Sequence, residues 1–220
     1  MCLTLLYESV TMITSEQIKE LERKREQAGI TKLHLMENAA RGIYKVLNER
    51  FELKNKKILI VCYHGNNGGD GFAAAGHLCD IAEVDVLFIG EESKLTEEAR
   101  VNYKRILHNE KIQFIEDDEA VDFDDFDIIL DSILGIGYQG YLRSEIADVI
   151  GRINASKAVK VAIDIPTGIN SDTGEKAEKF VDAELIITFH DLKPGLSSMT
   201  DKTVVVDIGL SDVTNKKQMP

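Results

Sequence analysis

The chain has 220 residues, 44% of them hydrophobic and 29% charged, the balance of an ordinary folded protein rather than a disordered or fibrous one. Its 26 Lys and Arg against 38 Asp and Glu give a formal charge of −12, which argues against unaided binding to nucleic acid, and no apolar run reaches the ~18–20 residues of a membrane span. Cys2, Cys62 and Cys79 include no CxxC pair, so neither a disulfide framework nor a zinc knuckle is implied and a reducing, cytoplasmic setting is expected.

Residues 1–11 lack the basic start and small-residue cleavage site of a signal peptide and read as an N-terminal extension, leaving 12–220 as one domain. Thr14 and Gln17 make a capping box, Ile18 and Leu21 begin an apolar stripe, and Gly29 stops a helix that runs to about Gln27. A second helix follows over roughly 33–51, with Leu35, Ala39, Ile43, Val46 and Leu47 on one face. KKILIVCY (56–63) is a continuous apolar run of strand length, as in a strand buried on both faces. The stretch 70–82 reads as helix, 84–89 as strand, 96–109 as a helix capped by Thr96, and IQFI (112–115) as strand. EDDEAVDFDDFD (116–127) reads as a solvated acidic loop. DIILD (127–131), VKVAID (159–164), ELIITF from Glu184 and TVVVDIG (203–209) are further strands, and a helix at about 143–154 separates the first two. Strands alternating with helices predict an α/β fold: a Rossmann-like three-layer sandwich with a mostly parallel central sheet, preceded by two N-terminal helices.

Open α/β sheets bind ligands beyond the carboxyl ends of their strands. After the first strand comes HGNNGGDGFAAA (64–75), whose Gly65, Gly68, Gly69 and Gly71 permit positive φ and close backbone approach, and whose following helix favours an anion such as phosphate. Asn67 and Asp70 in that loop call for a ligand partner. Gly69, Gly71 and Ala74 also satisfy GxGxxA, but the match starts about six residues past the strand end, which weakens a nicotinamide-dependent oxidoreductase reading. Asp131 closes DIILD before SILGIGYQGYLR (132–143), a second glycine-rich loop; its alternative role is to cap a turn. Asp164 closes VKVAID and is followed by Pro166, Thr167 and Gly168, while ELIITF delivers Thr188, His190 and Lys193. Four strand ends thus present chemistry toward one rim. Their carboxylate, Asn and Thr oxygens are hard donors, suited to an alkali or alkaline-earth ion rather than zinc.

LMENAA (35–40), GNNGGDG (65–71), Asp131 with the following SILGIG, DIPTG (164–168) and TFHDLKPG (188–195) occur in the order found in the YjeF N-terminal domain family, which the chain resembles over about 12–209. The resemblance implies repair of a damaged nicotinamide cofactor. Members interconvert the R and S forms of NADHX and NADPHX, in which water has added at C6 of the reduced ring, and a partner dehydratase then consumes the S form. It implies substrate contacts from Asn66, Asn67, Gly68, Gly69 and Asp70, from Gly135, Ile136, Gly137, Tyr138, Gln139, Gly140 and Tyr141, and from Asp164; Lys193 is expected either to contact a substrate phosphate or to modulate Asp164. It also implies a potassium ion on Asn67, Asp131 and Thr167, and a homodimer. Inverting C6 needs a proton donor and acceptor, for which Asp164 is the candidate, its alternative being to hold the Thr167 turn or the ion. The chain departs from the usual pattern at His64-Gly65, at DIPTG for DIPSG, and in the bulkier GIGYQGY loop. The kinase-like dehydratase domain fused to many relatives is missing, so a separate dehydratase polypeptide is expected. The competing reading is a non-catalytic dimeric nucleotide-binding or interaction scaffold on the same fold.

Overall fold

Helix α1 (Ser15–Gln27) starts at the expected capping box: Thr14 Oγ1 accepts the Gln17 N–H while Gln17 Oε1 accepts the Thr14 N–H, at 3.3 and 2.9 Å. Gly29 in the left-handed region, at φ +87°, ends it, and Thr31 caps α2 (Lys32–Arg50). The computed structural model describes residues 12–115 and 121–210 of the chain. The extension at 1–11 and the stretch 116–120 of the acidic segment lie outside the described residues.

Beyond α2 the chain runs β1 (Lys57–Cys62), α3 (Asn66–Leu78), β2 (Glu83–Phe88), α4 (Glu97–Ile106), β3 (Ile112–Ile115), β4 (Ile128–Ser132), α5 (Ser144–Ala155), β5 (Val159–Ile163), β6 (Leu185–Phe189) and β7 (Thr203–Val206). The seven strands form one sheet in the order β3-β2-β1-β4-β5-β6-β7, and every neighbouring pair is parallel. From β1 the chain winds outward one way and from β4 the other, so the connections after these two strands diverge and leave a crevice between them. The apolar runs seen in the sequence are central strands: Ile58, Leu59, Ile60 and Val61 of β1 are all fully buried, each side chain contributing about 1.5–3 kcal/mol. Alternate residues feed two cores. One lies against α2, α3 and α4, the other against α5 and the segment after β5.

Three details differ from the sequence reading. Helix α3 begins at Asn66 rather than at Asp70, so the glycine-rich stretch is mostly the first turn of a helix instead of a loop. Its glycines have no positive φ; they are selected by packing, since a Cβ on Gly68 would stand 1.8 Å from the Tyr63 carbonyl oxygen. The strict strand–helix alternation also lapses, because no α-helix lies between β5 and β6 or between β6 and β7. Ile165, Ile169, Val181 and Ala183 of the irregular β5–β6 connection cover one face there, and α2 covers the other, packing against β6 and β7. Helix α2 is therefore one layer of the sandwich over β6 and β7. Among the described residues no helix is long and apolar enough to cross a membrane.

Candidate active site

The crevice at the switch point opens into a cleft of about 580 Å³, walled by the ends of β1, β4, β5 and β6 and by α1 and α2. Asp164, the residue just after β5, stands at φ +65°, a conformation uncommon for a side chain without a local reason. Its N–H donates to the Ile187 carbonyl at 2.8 Å, which pins the bend. The bend brings the carboxylate onto Lys193, whose Nζ lies 2.7 Å from Asp164 Oδ1. Lys193 is only 1% exposed, and its other two protons go to Thr188 Oγ1 at 2.8 Å and the Phe189 carbonyl at 2.7 Å. Every donor of this buried ammonium is thus used, and Thr188 Oγ1 in turn donates to Asp164 Oδ1 at 3.3 Å. The second oxygen of Asp164 is left facing the cleft beside Gly135: a Cβ there would sit 3.1 Å from Oδ2.

Asn67 meets the same glycine from the other side, its Cγ 3.3 Å from that notional Cβ. It belongs to the first turn of α3, where Ser132 Oγ holds its carbonyl oxygen at 2.5 Å. Both amide atoms of its side chain are buried without a hydrogen-bond partner, as is the Tyr138 hydroxyl across the cleft wall. Polar atoms stripped of water and left unpaired are costly, and here they face a cavity. Gly65 caps α3 with no side chain, and the first helical bond is Gly69 N–H to the Gly65 carbonyl, so the N–H groups of Asn66, Asn67 and Gly68 are open to an acceptor. Asp70, one turn further on, also lines the cleft. Burial pushes its carboxyl well above the usual range, the Asp164 and Glu22 charges add to the rise, and Lys193 opposes it.

Asp131 lies in β4 beneath the cleft and is fully buried. Its carboxylate accepts Thr167 N–H and O–H at 2.7 and 2.6 Å and the Ile133 N–H at 3.3 Å, all neutral donors. Burial raises it to about 6 despite those bonds. Thr167 Oγ1 also accepts the Leu134 N–H at 3.0 Å, which ties the turn after β5 to the loop after β4.

Of the residues expected to touch a substrate, Asn66, Asn67, Asp70, Gly135, Ile136, Gly137, Tyr138, Asp164 and Lys193 line one cleft. Gly68, Gly69, Gln139, Gly140 and Tyr141 do not: the two glycines pack against Tyr63 and against Met36 and Ala99, and Tyr141 is 82% exposed. Sequence reasoning missed Lys19, Glu22 and Lys32, which line the cleft from the N-terminal helices. The available signal was a charged residue, Glu22, inside the Ile18–Leu21–Arg25 stripe of α1.

The sequence profile described as YjeF-related protein N-terminus matches residues 32–195. The chain is 35% identical over 195 residues to a protein named NAD(P)H-hydrate epimerase from Nitrosopumilus maritimus, covering 87% of this chain and 90% of the relative. It is 36% identical over 197 residues to the bifunctional NAD(P)H-hydrate repair enzyme Nnr of Methanothermobacter thermautotrophicus, covering 84% of this chain but only 38% of that protein. The chain thus spans well under half the length of the bifunctional relatives. The crystal structure of yeast ynu0 superposes with a TM-score of 0.79 at 21% identity over 89% of this chain and 87% of that one, a likeness of fold. With the profile matched over most of its length and relatives this similar, the chain belongs to the YjeF-related protein N-terminus family.

Proposed function

We propose that this domain is an isomerase that interconverts the R and S epimers of hydrated NADH and NADPH at C6 of the nicotinamide ring. The observation that carries the reading is the Asp164–Lys193 pair, with one carboxylate oxygen turned to a cleft that also holds the unpartnered Asn67 amide. Relatives that match the chain over nine-tenths of their own length are named NAD(P)H-hydrate epimerase, which supplies the substrate class.

Inversion at C6 moves a hydroxyl from one face of the ring to the other without net oxidation, so the site must hold the ring and handle a proton. Asp164 is the proton-handling group, and Lys193 fixes its position. The open N–H groups of Asn66 and Asn67 suit the diphosphate of a dinucleotide. Asn67, with donor and acceptor both free, suits the carboxamide or ring hydroxyl.

A potassium ion fits the hard-oxygen set of Asn67, Asp131 and Thr167. Asn67 Oδ1 is buried without a partner, and Asp131 is a buried carboxylate held only by neutral donors. Bound there, the cation would offset the Asp131 charge and draw substrate oxygens. A homodimer and delivery of the S epimer to a dehydratase complete the reading, and the bifunctional repair enzymes among the relatives support the latter link.

The test is to mix the purified protein with an R-enriched preparation of hydrated NADH and follow the C6 proton by NMR, in potassium chloride and in choline chloride. Exchange faster than the uncatalysed background, and faster in potassium, is expected. Asp164→Asn should slow it by at least about 100-fold. Exchange at the background rate in both salts sinks the assignment.

A further inference from the structure

The geometry points to Glu22 of α1 as a further catalytic residue of this cleft, the group that delivers a proton to the C6 hydroxyl of the hydrated dihydronicotinamide ring opposite the Asp164 carboxylate. This rests on the epimerase reading above. A stereocentre that is inverted presents its hydroxyl on one face of the ring before the reaction and on the other face after it. One carboxylate fixed by a buried lysine reaches one face, so a second proton-bearing group is required.

Glu22 meets that requirement. The inner stripe of α1 reads Ile18, Leu21, Glu22, Arg25 at helical spacing. Ile18 and Arg25 are buried, and Arg25 Nε is held by the Leu210 carbonyl at 3.1 Å. Glu22 instead opens on the cleft that Asp70, Asp164 and Lys193 also line, and among the described residues no hydrogen bond or ion pair holds it. It comes from a helix outside the sheet, whereas Asp164 comes from the end of β5. Burial raises the Glu22 carboxyl, Asp164 and Glu98 of α4 add to the rise, and Lys32 of α2 and Lys19 of α1 oppose it. Asp70 of α3 is coupled to Glu22, and Lys193 acts on Asp70. Glu22 is thus displaced toward its protonated form, while Asp164 is paired with a buried ammonium 2.7 Å away, the difference in surroundings that divided acid and base roles need.

The step balances without an oxidant. Glu22 gives its proton to the C6 oxygen, the C6–O bond breaks with its electron pair leaving on water, and the lone pair of the ring nitrogen forms the N1–C6 double bond. Water then adds to the other face of C6, its oxygen forming the new C6–O bond while its proton goes to Asp164 and the N1–C6 π pair returns to nitrogen. Proton exchange with water in the cleft, or turnover of the opposite epimer, restores both groups.

The experiment compares wild type, Glu22→Gln, Glu22→Asp and Glu20→Gln by NMR exchange from pH 5 to 9, at a temperature where every variant is folded by circular dichroism. Glu20 is the outward-facing control, in an exposed pair with Arg23. Glu22→Gln should lose about 100-fold or more in exchange rate and lose the alkaline fall of the wild-type pH profile, Glu22→Asp should recover part of the rate with that fall retained, and Glu20→Gln should match wild type. If Glu22→Gln keeps the rate and pH profile of Glu20→Gln, the inference is overturned while the epimerase reading stands. A wild-type protein without exchange overturns both.

Discussion

Burying Lys193 takes an ammonium out of water, and its three acceptors, all within 2.8 Å, replace the lost hydration. Removing one partner of such a pair leaves an uncompensated charge, which costs more than the pair contributes. Lys193→Met should therefore lower the unfolding free energy by about 3 kcal/mol in urea denaturation, and lower epimer exchange with it. A loss well below 1 kcal/mol would mean that the cleft hydrates Asp164 and that the ion pair is not what holds the bend. The same scale explains what the sequence made visible. Asn67, Asp70, Asp131, Asp164 and Lys193 are polar residues at the ends of apolar runs, where an exposed rim is the default expectation. Their division of labour was not visible: Asp131 accepts from Thr167 beneath the floor, whereas Asp164 keeps an oxygen for the cleft.

At the scale of elements, α3 shows how propensity yields to packing. Gly68, Gly69 and Gly71 each disfavour a helix by roughly 1 kcal/mol relative to alanine, yet they occupy its first two turns. The gain is proximity to β1, β4 and α2: a Cβ on Gly71 would meet Ser132 Oγ at 2.5 Å, and one on Gly68 would meet the backbone oxygen of Tyr63. A side chain can rotate away, but a strand-end carbonyl cannot. Gly68→Ala should accordingly destabilise by about 1–3 kcal/mol although alanine is the better helix former, as read from the denaturant midpoint. An unchanged or raised midpoint would show that α3 can slide off β1. The open N–H groups of the first turn depend on that close seat, so the same variant should weaken nucleotide binding.

For the whole molecule, half-buried cleft carboxylates and net charge act in one direction. Asp70 and Glu22 titrate higher in the folded chain than in the unfolded one, chiefly through burial. Their cost is absent where both states are protonated, below the unfolded carboxylate values near 4, and it grows as pH rises through the raised folded values. A formal charge of −12 adds self-repulsion over the same range. Groups shifted the other way, such as Glu20 and Asp80 through their Arg23 and Lys111 bonds, are exposed and weigh little, although they lose their benefit as pH falls. The melting temperature should peak at weakly acidic pH and decline toward pH 9, with a shallower decline in Asp70→Asn; a flat or rising wild-type curve would contradict the burial of these groups. The sequence by itself determined the sheet and its helices, because unbroken apolar runs, the Thr14 and Thr96 caps and the Gly29 stop are interactions between near neighbours. It also located the rim, because parallel strands linked by crossovers must end on the same side. Only the tertiary structure decided that α2 covers β6 and β7 where no crossover helix follows, that α3 starts at Asn66, and that Glu22 joins the cleft. Each of these is set by contacts between residues far apart in the chain, where local spacing carries no information about which surfaces meet.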